Sequence, residues 1–176
     1  MPFIPDHSQS EVDEEDNIVI LPGELPMEVA LHETIHIVIL RLDGVDISDV
    51  VDHEDAAWTR LVEPQKFTVA ALMAPEVYMS LNNIAFTSVS VSSDRDAVAN
   101  CFCPEAIEDI RKANRELLDI IFQCRYVNAA ITILSTRMHA VLREHKVMNG
   151  TSIHEIIDPI LKCSPHADGL REKSNR

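Results

Sequence analysis

Apolar positions along this chain fall into one short run, one long run and several amphipathic stretches. Residues 17–21, Asn-Ile-Val-Ile-Leu, are β-branched and end at Pro22-Gly23, which predicts a strand. From residue 25 to residue 42 the apolar positions are dense and the stretch is too long for an ordinary strand. Met27, Glu28, Ala30, Leu31 and Glu33 favour a helix, Pro26 suits its first turn, and Glu24 and Glu28 lie near its positive end. A helix is therefore expected over residues 26–41, stopped at Asp43-Gly44. Ile35, Ile37, Val38 and Ile39 are poor helix formers, and burial on most sides of the helix accounts for them.

Further on the pattern is mixed. Residues 45–54 are acidic and read as irregular. A second helical segment is expected over 54–73, with Pro64 inside it and Pro75 just after. Residues 82–93 are polar, with Thr87, Val89 and Val91, and read as a loop or a weak strand. Pro104 opens a third helix to about residue 121. A fourth is expected over 128–146, with Asn149-Gly150 as its stop, and a short helix over 153–161. No internal repeat is evident. The organisation expected is α+β: a flexible acidic tail (1–16), a core built on a short antiparallel sheet and one apolar helix (17–100), a helical C-terminal region (101–163) and a disordered tail (164–176).

Composition narrows the function classes. The chain has 176 residues, 46% of them hydrophobic, and a formal net charge of -14. This is enough for one domain with a core, and the charge would repel duplex phosphates, so direct nucleic-acid binding is not expected. No run approaches the roughly 18 apolar residues that span a bilayer. The N-terminal residues lack a basic and apolar leader, so a cytoplasmic protein is expected. Cys101, Cys103, Cys124 and Cys163 show no disulfide-scaffold or regular zinc spacing and read as free thiols.

The candidate chemistry lies in the long apolar run. His32-Glu33-Thr34-Ile35-His36 reads H-E-x-x-H. On a helix the two histidines stand one turn apart on one face, where two imidazoles can hold one metal ion. Glu33 stands beside them, placed to take a proton from water. A catalytic zinc generally takes a third protein ligand. Asp49, Asp52, His53, Glu54 and Glu63 are the candidates.

The segment Glu63-Pro64-Gln65-Lys66-Phe67-Thr68-Val69-Ala70-Ala71-Leu72-Met73-Ala74-Pro75-Glu76 resembles the second motif of the ImmA/IrrE peptidases, of the form E-A-N-x-F-A-x-x-L-L-M-P. Glu63, Phe67, Leu72 and Met73 stand at matching positions, and Pro75 comes one residue late. The strand before H-E-x-x-H and Ala30 at the helix fit the same family. The resemblance covers residues 17–76, and more weakly Val127, Ala130, Arg137 and Met138.

This resemblance implies a zincin-like core and a zinc-dependent endopeptidase, with manganese as the alternative metal. His32, His36 and Glu63 would hold the metal and Glu33 would be the general base. An extended substrate would pair with the strand at residues 18–21. The sequence identifies no side chain that supports the oxyanion, for which Tyr78 and His53 are the candidates. The implied partner is a protein substrate, a helix-turn-helix transcriptional repressor. Two positions depart from the family: Ile35 replaces its usual glycine, and Pro64 drives Glu63 away from helical geometry. The competing class is a catalytically degenerate zincin-fold protein that acts as an interaction module.

Overall fold

The computed structural model describes residues 25–53, 56–85 and 88–174, together with the backbone of two short strands at 11–13 and 18–20. The fold is α+β and mostly helical. Strands β1 (Glu11–Asp13) and β2 (Ile18–Ile20) pair antiparallel, with Val12 opposite Val19. The predicted strand at 17–21 is therefore present, but it belongs to a separate two-stranded sheet. Its partner falls within the expected acidic tail, where Glu11-Val12-Asp13 alternates as a strand does.

Helix α1 (Met27–Leu42) carries the H-E-x-x-H motif, with Pro26 as its N-cap residue. Every residue from His32 to Leu42 is buried. Enclosure on all sides overrides the weak helix propensity of its β-branched residues.

The chain then turns at Gly44 into strand β3 (Ile47–His53) and strand β4 (Ala56–Leu61). Here the structure departs from the sequence pattern, which predicts irregular chain over 45–54 and a helix from residue 54. In β4, Ala57 and Leu61 are buried while Trp58 and Arg60 are exposed. That two-residue alternation, paired with β3, outweighs the helix preference of alanine and leucine. Strand β5 (Val147–Asn149) completes a three-stranded antiparallel sheet of order β4-β3-β5, so β4 is an edge strand.

A 3-10 turn (Pro64–Lys66) leads to α2 (Val69–Leu81), capped by Thr68 and continuing through Pro75. Helix α3 (Ser88–Cys101) replaces the expected loop or strand. The remaining helices are α4 (Pro104–Ile121), α5 (Arg125–His145), α6 (Gly150–Leu161) and α7 (Asp168–Ser174), close to expectation except for α7. Ala167 and Leu170 are buried, so this part of the expected disordered tail packs into the molecule.

One buried cluster runs from Leu25 to Leu170 and draws on both sides of the expected boundary at residue 100. Helices α2 and α5 flank α1, and Thr34 of α1 meets Met138 of α5. Among the described residues, no single helix is long and apolar enough to cross a membrane.

Candidate metal centre

His32 and His36 occupy successive turns of α1, and both are buried. Their Nε2 atoms lie 3.0 Å apart. Asp94, nearly two turns into α3, places Oδ2 3.0 Å from His32 Nε2 and 3.2 Å from His36 Nε2. The three donor atoms form a nearly equilateral triangle. Tetrahedral zinc with bonds of 2.0–2.1 Å separates its donors by about 3.3–3.4 Å. The triangle agrees with that to a few tenths of an ångström, and the group can hold a metal ion.

The hydrogen-bonding pattern suits a cation. His36 Nδ1 lies 2.7 Å from the Ala71 carbonyl of α2. A carbonyl only accepts, so Nδ1 carries the proton and Nε2 turns a lone pair toward the triangle. Asp94 Oδ2 is buried and, despite its closeness to both imidazoles, has no aligned hydrogen-bond partner among the described residues. Buried acceptors that converge in this way need positive charge between them.

Burial alone would lower the His36 pKa, but Asp94 beside it and the charge of Glu33 hold it above the usual value. Burial would raise Asp94, yet the two imidazoles bring its carboxyl down to about 2.

Glu33 is buried and its Oε2 accepts from the Thr59 N–H of β4 at 2.9 Å and from the Thr59 hydroxyl at 2.5 Å. Oε1 is the oxygen left for a proton. These bonds also orient the edge strand. The Val62 N–H bonds inward to the Asp46 carbonyl, whereas the Thr59 N–H bonds to Glu33. By strand periodicity Ala57, Thr59 and Leu61 present their backbone groups at the outer edge of β4. A cavity of about 480 Å³ adjoins that edge, lined by Thr59, Leu61, Pro64 and Phe67 among others. Phe67 packs edge-on against the His36 ring at 5.4 Å.

Of the residues named from sequence, His32, His36 and Glu33 are brought together, and Glu63 is not. Glu63 is extended (φ -119°, ψ 93°), half exposed, and pairs with Lys66 at 2.8 Å. Pro64 causes this, because a residue before proline is excluded from helical geometry. Asp49 pairs with Arg60, Asp52 with Lys146, and His53 is exposed at the end of β3. Glu54 lies outside the described residues. Tyr78 packs edge-on against Phe122 in the core.

Asp94 is not among the sequence candidates, because it lies just past the polar 82–93 segment, where the sequence pattern predicts no element. One signal was present: Asp94 and Val98 share a helical face at i, i+4, and Val98 is buried. No protein-family model, curated protein or solved structure matches the chain.

Proposed function

We propose that this protein is a zinc-dependent endopeptidase with a zincin-like core, in which His32, His36 and Asp94 hold the metal. The observation that carries the reading is the convergence of three buried donors beside a glutamate fastened to an open edge strand. Manganese is the alternative metal for this nitrogen and carboxylate set.

When bound, the metal would polarise a scissile carbonyl and acidify water. Glu33 would take the proton on Oε1 and return it to the leaving amine. Thr59 holds the carboxylate by Oε2 and so orients the base. The outer edge of β4 would hold the substrate as an added strand. This role moves from residues 18–21 to β4, because β2 lies in a different sheet. In line with the family resemblance, the substrate is a partner protein, a helix-turn-helix repressor.

A second reading has its own support. A peptide on β4 must share the Thr59 N–H with Glu33. If the peptide takes that N–H, Glu33 loses the bond that orients it as a base, and the protein is a metal-stabilised interaction module.

One comparison separates the two. Zinc-loaded protein is incubated with pooled unfolded polypeptides, and new termini are identified by mass spectrometry. The parent should cleave, and Glu33→Gln should bind zinc normally and lose cleavage by at least about 100-fold. Equal products from both would remove Glu33 as the base. Zinc binding with no products from the parent would favour the interaction module.

A further inference from the structure

We propose that Pro75 is a positioning residue for the metal site: by removing one helical N–H it hands the Ala71 carbonyl to His36. The inference rests on the metal reading of the triad.

In an α-helix the carbonyl of residue 71 accepts from the N–H of residue 75. Helix α2 runs from Val69 to Leu81 and contains proline at that position. Proline has no N–H, and its ring crowds the carbonyl four residues back. Ala71 is fully buried, so its carbonyl would be an orphan in the core. His36 Nδ1 stands 2.7 Å from it.

Each group supplies what the other lacks. The carbonyl gains a donor, and the imidazole is fixed with its proton on Nδ1 and its lone pair on Nε2. That Nε2 is the atom 3.0 Å from His32 Nε2 and 3.2 Å from Asp94 Oδ2. The other imidazole shows the contrast, since His32 Nδ1 is buried without a hydrogen-bond partner among the described residues. Of the two histidines, His36 is the one locked by α2. The helix gives up a bond that a residue with an N–H would make, and the site gains an oriented ligand.

The test uses the full chain and zinc alone. Pro75→Ala restores the N–H and returns Ala71 to the helix ladder. Proline is the least favourable residue inside a helix, so this variant folds. Zinc affinity, read by chelator competition, should fall about tenfold, in the range seen when the partner of a metal-bound histidine is lost. Lactic acid at position 75 makes an ester that lacks both the ring and the N–H. It should retain affinity within about twofold of the parent.

Nitrogen-15 imidazole spectra of the metal-free protein give a second readout. The His36 Nδ1 proton should exchange slowly in the parent and the ester, and quickly in Pro75→Ala. Unchanged affinity and exchange in Pro75→Ala would overturn the proposal, as would an ester that behaves like the alanine variant. If the parent binds no zinc, the metal reading falls, and proton exchange alone decides whether Pro75 directs His36.

Discussion

Asp94 decides whether the two imidazoles of α1 share a metal or keep a proton. Its Oδ2 is within 3.2 Å of both Nε2 atoms, whereas Glu63 is committed to Lys66 at the surface. Asp94→Asn should therefore weaken zinc binding by more than about 100-fold, exceeding the loss for an outer partner. Glu63→Gln should leave it unchanged. Chelator competition on both variants checks this, and the reverse order would restore Glu63 as the ligand.

Protons compete for the same site, with a definite sign. The His36 pKa is raised, so in metal-free protein its contribution to stability is complete below 6.5 and is lost as pH rises through the raised value. The Asp94 pKa is depressed, so its contribution is present above 3.8 and is lost as pH falls toward about 2. Metal binding requires a neutral imidazole. Zinc affinity should accordingly fall as pH drops through the His36 pKa, with about one proton released per zinc near that pH.

At the scale of elements, the site depends on how α3 is tethered. Its described side chains are largely polar, and Val98 is its buried anchor. Next to Asp94, Arg95 grips Glu76 of α2 through two hydrogen bonds of 3.0 and 2.6 Å. Both partners are substantially exposed, so the pair contributes about 1 kcal/mol or less. If all of it is felt at Asp94, Arg95→Ala should weaken zinc binding by up to about fivefold with little change in melting temperature. The difference should shrink in high salt, where surface pairs are screened. An equal effect at all salt concentrations would locate the tether in Val98 alone.

The same contrast explains which elements the sequence discloses. Helices α1, α4, α5 and α6 announce themselves by long apolar periodicity and by Pro26, Pro104 and Asn149-Gly150 at their ends. Strands β3 and β4 exist because they pair with each other and because β3 also pairs with β5, nearly 100 residues later. No local signal in Val50 or Thr59 reports such a partner. Two of the three candidate metal donors sit on one helix and are legible as a motif. Asp94 comes from a weakly patterned helix 58 positions after His36, and only packing brings it across.

At the scale of the molecule, the far end of the metal helix is held by the C-terminal elements. Arg41 is buried and donates to both carboxylate oxygens of Asp158 on α6, at 3.0 and 2.6 Å, and to the Val45 carbonyl. Lys173 pairs with Asp46, and Leu170 is buried. Backbone meets backbone where Gly169 lies on the Asp43-Gly44 turn. Gly44 has φ +75°, and a Cβ on Gly169 would collide with the Asp43 main chain. No rotamer change relieves such a clash, so α7 must shift to accept any side chain there. Gly169→Ala should cost about 2 kcal/mol, and lower the melting temperature by about 4–8 °C for a chain of this size. The triad should not notice, since His36 and Asp43 are two helical turns apart on α1 and the donors are set by α2 and α3. Zinc affinity measured well below the transition should match the parent. A variant that loses affinity in step with stability would mean that α7 acts on the metal centre through α1; one that melts like the parent would mean that α7 is not seated on the turn.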